Sequence, residues 1–324
     1  MKQLGCLALL LCAGLGQAEQ SLSAAEILRQ MADASRSLDY RGRLLHIRGE
    51  QINTLELLHA RLAGEENERL TQLAGERAEV IRRGNEIICV HADRSITRLP
   101  GSKTSNPLSL YRQLSDTVPD QYQLTLEGVD RVAGLDVDAL RVEPRDGFRF
   151  GYRLWIDRDS RLLIRSELIN NAGKVLERIE FVSLQVGAGL DEADFALPSS
   201  SAERALDSLQ VSANQGTMPA LQIGWVPEGF REVDRDLRLT GVDRVPVSAL
   251  TFTDGLASFT LFVEPGNARV LPLSESWGAT RAASRELFGP QGNYRLTLLG
   301  EVPAVTVERV LAHASLAGAE GVDR

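Results

Sequence analysis

The spacing of apolar residues along the chain changes near residue 39. Between Ser23 and Leu38, apolar side chains recur every three or four positions, which is the spacing of one buried helix face. Ser23 and Glu26 stand at the start of this stretch, where their side chains can bind free backbone N–H groups of a first helical turn. The pattern therefore predicts a helix that begins after Ser23 and ends at Asp39.

From Tyr40 onwards the pattern is that of short strands separated by turn residues. The predicted strands are 40–48, 55–62, 68–73, 78–82, 86–91, 95–99, 121–127, 137–143, 150–156, 161–169 and 174–185. Residues 100–119 are more polar, and a loop with one helical turn around 108–114 is expected there. Tight turns at 157–160 and 170–173 make neighbouring strands pair antiparallel. We predict a curved, half-open antiparallel barrel with the helix packed inside it.

A second region follows a stretch rich in Ser, Ala, Gln and Asn, which is typical of a linker. This linker, 199–219, carries a possible helical turn around 202–209. Beyond it, strands are predicted at 247–253, 256–264 and 294–301, and a helix at 303–314. The predicted fold class is α+β, with an N-terminal domain (19–198), a smaller C-terminal α+β domain (220–316) and a short tail (317–324).

The first 18 residues have the three-part layout of a secretory signal peptide. Lys2 gives a positive start, residues 4–15 are apolar, and Gly16-Gln17-Ala18 supplies small residues for cleavage. The apolar run is shorter than the roughly 20 residues that span a bilayer. The mature chain is therefore expected to be exported and to begin at Glu19.

Composition narrows the class of protein. The whole chain carries a net charge of −8 at pH 7, which argues against a nucleic-acid partner. Cys6 and Cys12 belong to the predicted signal peptide, so Cys89 alone remains and no intramolecular disulfide is expected.

The sequence lacks the usual motifs of catalysis and cofactor binding. No Gly-x-Ser-x-Gly elbow, phosphate-binding glycine loop or His-Glu-x-x-His helix is present. The four histidines are His46, His59, His91 and His313, and they are scattered. Cys89 and His91 lie two apart on a predicted strand, where an ordinary half-buried cysteine is favoured over a thiol–imidazole site. We therefore expect no enzyme, no catalytic residues, no metal and no cofactor.

Five segments together carry a family resemblance. Gly151-Tyr-Arg-Leu-Trp-Ile-Asp-Arg-Asp-Ser-Arg-Leu-Leu-Ile-Arg-Ser166 resembles the MucB/RseB family. Residues 39–43 and 130–134 agree in the first domain, and residues 248–265 and 300–304 agree in the second. No single motif is chemically specific, but all five occur in the family's order and spacing across essentially the whole mature chain.

The resemblance implies a periplasmic regulator of an envelope-stress sigma factor. In this family the first domain looks like periplasmic lipoprotein carriers, and the second contributes to binding the periplasmic domain of a membrane anti-sigma factor. When bound, the regulator shields that factor from proteolysis, and lipid or lipopolysaccharide releases it. The implied role is negative regulation of sigma factor activity and of alginate production, with possible self-association into a homo-oligomer.

Candidate residues follow from the predicted elements. For the lipid-binding cavity, apolar positions on the strands and first helix are taken: Ile27, Met31, Leu44, Leu57, Ile88, Phe150, Trp155 and Phe181. The alternative is that the helix fills the concavity and these residues form only a core. Which strand face points inward is open, because a one-residue slip reverses every side chain. For the partner, Phe259, Phe262 and Glu264 are taken; a core role is the alternative for both phenylalanines.

Two other functions stay open at this point. A lipid or lipoprotein carrier would use the first domain alone, and a secreted hydrolase would need a nucleophile that the sequence does not reveal. The linker is hypothesised to be a hinge that couples lipid binding to partner binding, with a passive tether as the alternative.

Overall fold

The computed structural model describes residues 22–100, 120–198, 219–240, 245–266, 273–289 and 292–317. The predicted signal peptide, the helical turns around 108–114 and 202–209, nearly all of the linker and nearly all of the tail lie outside these residues. In the part of the chain that is described, no helix has the length and apolarity needed to cross a membrane.

The predicted first helix is present as α1, Ala24–Ser37. The Ser23 hydroxyl accepts a hydrogen bond from the Glu26 N–H at 3.2 Å, which satisfies one of the free donors of the first turn. Ile27, Leu28 and Met31 lie on one face and are buried.

Eleven strands follow within the described residues and form one antiparallel sheet. They are β1 Tyr40–Arg48, β2 Gln51–Leu62, β3 Glu65–Gln72, β4 Glu79–Arg83, β5 Glu86–Val90, β6 Ile96–Pro100, β7 Tyr122–Val132, β8 Leu135–Pro144, β9 Gly151–Asp157, β10 Leu163–Ile169 and β11 Val175–Val186. Their order is β6-β5-β4-β3-β2-β1-β11-β10-β9-β8-β7, so the sheet is open, with β6 and β7 at its edges.

The sheet curves around α1. The helix contacts both β2 and β7, which are six strand positions apart in the sheet. Strands lie about 4.8 Å apart, so a flat sheet would separate these two by about 29 Å, far more than the roughly 10 Å diameter of a helix. The predicted half-open sheet with a helix inside it is therefore confirmed.

A second, smaller unit begins at Leu221. Its elements are β12 Leu221–Ile223, β13 Arg231–Thr240, β14 Val245–Thr253, β15 Ser258–Pro265, β16 Ser274–Trp277, β17 Thr280–Gly289, β18 Gly292–Gly300, α2 Ala304–Ala312 and β19 Ala314–Leu316. Six strands form a sheet in the order β13-β14-β15-β18-β17-β16, and β12 pairs with β19. Leu250, Leu261, Leu296 and Leu298 pack with Val307 and Val310 of α2 in a separate core. The α+β class is confirmed.

Candidate functional site at the mouth of the open sheet

Two loops of the second domain complete the core of the first. Leu256, in the β14–β15 turn, and Ala279, in the β16–β17 turn, are 2% and 1% exposed. Both belong to the apolar cluster that contains Ile27 and Met31 of α1 and Leu44 of β1. We call residues 254–257 and 277–279 the mouth loops, because they cover one end of the curved sheet, where Arg48, Leu176 and Tyr152 lie.

The first mouth loop is held in shape by its own aspartate. Asp254 Oδ1 accepts hydrogen bonds from the N–H groups of Leu256 and Ala257 at 2.9 and 2.7 Å. Gly255 has a φ of +103°, a conformation that glycine adopts without steric cost. Tyr152 of β9 donates its hydroxyl to the Leu256 carbonyl at 3.2 Å. The turn is therefore held by hydrogen bonds of its own and by one to the first domain.

A buried ion-pair network surrounds the same aspartate. Arg149 Nη1 donates to Asp254 Oδ2 at 2.6 Å, and both side chains are 0% exposed. Arg149 Nη2 also donates to Asp146 Oδ2 at 2.8 Å and to the Glu228 carbonyl at 2.7 Å. The Tyr122 hydroxyl donates to Asp254 Oδ2 at 3.1 Å. Buried charges cost several kcal/mol each unless they are paired, so this network favours one arrangement of the two domains.

The ionisation of these groups follows from their surroundings. Burial raises the pKa of the Tyr122 hydroxyl far above its ordinary value, and the negative charge of Asp254 adds to that rise. Burial alone would lower the pKa of Arg149, but its hydrogen bond to Asp146 and the charge of Asp254 raise it instead. Tyr122 therefore stays a donor and Arg149 stays a cation.

A second polar cluster lies beside the other mouth loop. His46 Nε2 and Glu177 Oε1 are 2.6 Å apart, and Arg48 Nε donates to Glu177 Oε2 at 3.2 Å. Arg48 Nη2 also reaches Glu301 Oε1, in the second domain, at 3.9 Å. Gly278 packs so closely on this cluster that an added Cβ would collide with Arg48 Cγ. Glycine at position 278 therefore permits the close approach of the second domain.

The two carboxylates of this cluster are shifted in opposite directions. Burial alone would raise the pKa of Glu177, but the hydrogen bond with His46 and the charge of Arg48 lower it below its ordinary value. Burial raises the pKa of Glu301, and the nearby negative charge of Glu177 raises it further. Glu301 is therefore the carboxylate of this cluster that most readily takes up a proton.

Helix α2 makes a third contact with the first domain. The Thr306 hydroxyl donates to the Phe148 carbonyl at 2.6 Å. The Phe148 ring meets Trp225 edge-on at 5.0 Å between ring centres, and the Arg309 guanidinium lies over both rings, 5.5 and 4.2 Å from their centres. The domains are thus joined by apolar, charged and cation–π contacts.

A polar cleft of about 390 Å³ opens near the Arg149 network. Its lining is made mostly of charged and amide side chains. The lining residues are Gln123, Arg141, Glu143, Pro144, Arg145, Asp146, Gly151, Ile169, Asn170, Asn171 and Gly173. Such a cleft suits a polar head group rather than an acyl chain.

Seven of the eight predicted cavity residues belong to one apolar cluster. They are buried in the cluster that α1 and the mouth loops share: Ile27, Met31, Leu44, Leu57, Phe150, Trp155 and Phe181. Among the described residues, these side chains pack against one another as a core. Their role in holding a lipid stays a prediction.

Ile88 does not lie with them. It is buried in a separate cluster with Ile81, Val90 and Ile96. The pairing of Ile88 with Ile81, of Ile81 with Arg69 and of Arg69 with Leu58 places Ile88 on the face opposite Leu57. That face is covered by residues 188–197, so the burial of Ile88 has a different cause from that of Leu57.

Trp155 also points away from the concave side. It alternates along β9 with the core residues Leu154 and Ile156, and it pairs with Arg165 of β10. Its ring lies between the guanidinium groups of Arg153 and Arg165, each 5.0 Å from the ring centre, and its Nε1–H donates to Asp130 at 2.9 Å. Trp155 packs in the same apolar cluster, but arginines cover its ring on the outer face of the sheet.

The predicted partner residues divide between the two faces of the second sheet. Phe259 is 1% exposed and stacks on Phe252 in the core, which is the alternative that the sequence left open. Phe262 and Glu264 are partly exposed, and Glu264 pairs with Arg295 at 3.3 Å. A buried Phe259 cannot act as an exposed anchor. A partner role for Phe262 and Glu264 stays a prediction.

Arg149, Asp254 and Tyr122 were not among the site residues predicted from the sequence. The available signal was the turn at Asp254-Gly255, which the pattern predicted, and an arginine set between Phe148 and Phe150. Neither signal shows that the two segments meet, because they lie about a hundred residues apart.

Comparison with known proteins identifies the family. The MucB/RseB N-terminal domain model matches residues 23–200, and the MucB/RseB C-terminal domain model matches residues 217–315. This chain belongs to the MucB/RseB family. Among MucB/RseB relatives, sigma factor AlgU regulatory protein MucB of Pseudomonas aeruginosa is 33% identical over 306 residues, covering 90% of this chain and 91% of the relative. Sigma-E factor regulatory protein RseB of Salmonella typhimurium is 30% identical over 288 residues, covering 88% of each.

Solved MucB structures have the same fold. The crystal structure of MucB in complex with MucA(peri) aligns with a TM-score of 0.69 at 33% identity, covering 92% of this chain and 100% of that chain. The Pseudomonas aeruginosa MucA/MucB complex aligns with a TM-score of 0.70 at 31% identity, covering 91% and 99%. The relatives carry the names of sigma factor regulators rather than of enzymes.

Proposed function

We propose that this chain is a periplasmic regulatory protein that binds the periplasmic domain of a membrane anti-sigma factor and protects it from proteolysis. Lipid or lipopolysaccharide releases it under envelope stress, so that it is a negative regulator of sigma factor activity and of alginate production. Family membership and the complexes of MucB relatives with MucA support the partner. Self-association, which the family resemblance also implies, stays a prediction.

The observation that carries the lipid switch is the shared core at the mouth. Leu256 and Ala279 of the second domain are buried among the side chains of α1 and β1 that an acyl chain would have to contact. A lipid that enters this interior therefore competes with the mouth loops for the same apolar surface. Lipid binding and the arrangement of the domains cannot be independent under that condition.

The energies are of matching size. Burial of each methylene group contributes about 0.8 kcal/mol, so four methylenes contribute about 3 kcal/mol. A hundredfold change in affinity for the partner corresponds to about 2.8 kcal/mol. Burial of four methylenes therefore supplies a free energy of the size that a hundredfold loss of affinity requires, provided that the anti-sigma factor binds only the closed arrangement. The linker, 199–219, is the predicted hinge for that movement.

A binding measurement tests the proposal. The mature chain, residues 19–324, is titrated onto an immobilised periplasmic segment of its anti-sigma factor, with and without lipopolysaccharide. We expect lipopolysaccharide to weaken binding about a hundredfold and to restore cleavage of the segment by its protease. Binding of both ligands with unchanged affinities would overturn the switch. If the chain bound lipid but did not bind the anti-sigma segment, the result would instead support a lipid or lipoprotein carrier.

A matched pair of variants links the effect to the domain contact. T306V removes the hydrogen bond from α2 to the Phe148 carbonyl, whereas T251V removes a hydroxyl pair within the second sheet, with Thr260 at 3.0 Å. We expect T306V to lower the lipid concentration needed for release and T251V to leave it unchanged.

A further inference from the structure

A histidine and two glutamates meet on the β2–β3 hairpin. The turn between these strands is Ala63-Gly64, and both residues have positive φ, of +50° and +85°, as a two-residue hairpin turn requires. This turn places His59 directly opposite Glu68 in the pairing register. Glu66 lies two positions before Glu68 and therefore on the same face of the sheet.

The cluster is buried. His59 is 0% exposed, Glu68 is 1% exposed and Glu66 is partly buried. One potential ligand atom from each residue lies within 4.8 Å of the others. The hairpin thus presents an imidazole nitrogen and two carboxylates in a place from which water is largely excluded.

The hydrogen bond of His59 Nδ1 determines whether Nε2 is a donor or an acceptor. Nδ1 lies 2.8 Å from the Leu38 carbonyl oxygen, which can only accept a hydrogen bond, so Nδ1 carries a proton. In the neutral imidazole Nε2 is then an acceptor, and it lies 3.2 Å from Glu66 Oε1, which is also an acceptor. Two lone pairs facing each other in a buried site require a cation between them, either a proton or a metal ion.

We propose that His59, Glu66 and Glu68 bind a divalent cation of the zinc class. Zinc accepts imidazole nitrogen and carboxylate oxygen at about 2.0–2.2 Å, so neighbouring ligand atoms of a tetrahedral site lie about 3.4 Å apart. The Nε2–Oε1 distance of 3.2 Å in the hairpin already suits that geometry. A backbone carbonyl on the other ring nitrogen is the usual support of a metal-binding histidine.

The surroundings fit this role. The ring of Tyr40 stacks on His59 at 4.9 Å and holds its plane. Arg82 Nη1 lies 3.8 Å from Glu66 Oε2, whereas the other oxygen of this carboxylate, Oε1, lies beside His59 Nε2. Leu38 is the residue that ends α1, so a metal on His59 would connect the hairpin to the end of that helix. The site is independent of the proposed switch, and its failure would leave that proposal standing.

The competing occupant is a proton. A doubly protonated His59 would satisfy the same carboxylates without any metal. Added zinc distinguishes the two alternatives. A metal ion that occupies the site must displace the Nε2 proton and bind with one-to-one stoichiometry.

The test is a calorimetric titration of the EDTA-treated mature chain with ZnCl₂, with MgCl₂ as the control ion. We expect one saturable zinc site, a rise in melting temperature with zinc, and no comparable effect of magnesium, which prefers oxygen ligands. Cobalt(II) in place of zinc should give the visible d–d absorption bands of a tetrahedral site.

Four variants locate the site. H59Q and E68Q should weaken zinc binding at least ~10-fold. H91Q and E65Q change the same residue types outside the cluster and should leave it unchanged. Absence of saturable zinc binding by the folded wild-type chain, or equal binding by H59Q and wild type, would overturn the proposal. So would a nitrogen NMR spectrum in which His59 keeps both protons in excess zinc, a measurement that needs no variant to fold.

Discussion

Arg149 shows how one side chain can determine the arrangement of two domains. Its guanidinium is fully buried and reaches Asp146 in the first domain and Asp254 in the second. A charge in such a place is costly when its partner is lost, because the remaining ion has neither water nor a counter-charge. The pair therefore penalises separation or rotation of the domains more than an apolar contact of equal area would.

The first prediction follows from this pair. Replacing Arg149 by methionine keeps the volume but leaves Asp254 uncompensated. We expect a loss of about 3–5 kcal/mol in the free energy of unfolding, measured by urea denaturation. R235M breaks the exposed Glu232–Arg235 pair and should cost less than about 1 kcal/mol. Equal losses in the two variants would refute the special role of the buried pair.

The second prediction concerns Glu301 and pH. Its pKa is raised above the ordinary value of 4.5, so the folded chain holds this proton more tightly than the unfolded chain does. The stabilisation is complete below about pH 4.5 and is lost as pH rises through the folded pKa. E301Q should remove this loss, giving a melting temperature that falls less than that of the wild type between about pH 4.5 and pH 8.

Glu232 provides the control of opposite sign. Its hydrogen bonds from Arg235 lower its pKa, so its contribution is present above about pH 4.5 and is lost as pH falls through the folded value. E232Q should therefore change the melting temperature only on the acid side of the plot of melting temperature against pH. If E301Q and E232Q changed the curve in the same direction, the assignment of Glu301 would be wrong.

At the scale of elements, the mouth loops are small parts with a large effect. Each places one apolar side chain in a core that belongs to the other domain. A turn of four residues is enough, because Asp254 and Gly255 provide its hydrogen bonds and its backbone conformation internally.

The third prediction separates this contact from ordinary core packing. L256A should cost about 2–5 kcal/mol and should increase the uptake of a fluorescent fatty acid, because it opens space in the shared core. L261A removes an equally buried leucine from the second domain's own core and should destabilise without increasing uptake. Equal uptake by both variants would show that the mouth loops do not control access.

Much of the first domain was predictable, because its strands alternate and its turns carry glycine, asparagine or aspartate. The predicted strand 40–48 is β1. Strands β12, β13, β16, β17 and β19 were missed. In β13 charged residues occupy positions on both faces, as in Arg231-Glu232-Val233-Asp234-Arg235, and its residues 231–235 are exposed, so no alternation marks an edge strand of this kind.

Side-chain direction was the limit of the sequence reasoning. Ile88 and Trp155 were grouped with the interior because they are apolar, and both are indeed buried. The sheet is covered on its outer face by residues 188–197 in one place and by arginines in another. Burial on both faces removes the alternation that would have indicated which way each residue points.

At the scale of the molecule, the described residues show three contacts between the two domains besides that of the mouth loops: the Arg149 network, the Arg48 cluster and the α2 contact with Phe148. In the proposed switch, a lipid would contact only the interior beside the mouth loops, yet the change of arrangement would have to weaken all three of these contacts. Such a change would be cooperative. Each contact helps to keep the domain arrangement that the other contacts need, so the loss of one weakens the rest.

The fourth prediction tests this cooperativity. Hydrogen exchange of the mature chain should increase on lipid binding in both mouth loops and at the start of α2, while strands β9 and β10 stay protected. The anti-sigma segment should slow exchange at the same places. An increase confined to one mouth loop would show that the contacts open separately.

The pairing of β1 with β11 bears on how the chain would fold after the proposed export. Tyr40 lies opposite Val186, so the first strand of the domain cannot complete its pairing until the last strand is present. A chain that emerges N-terminus first can build two ladders, β1–β6 and β7–β11, but neither alone surrounds α1. Closure across so long a stretch is slow. Until residue 186 has crossed the membrane, the apolar face of α1 is exposed to solvent. We expect periplasmic chaperones to bind that face during this delay.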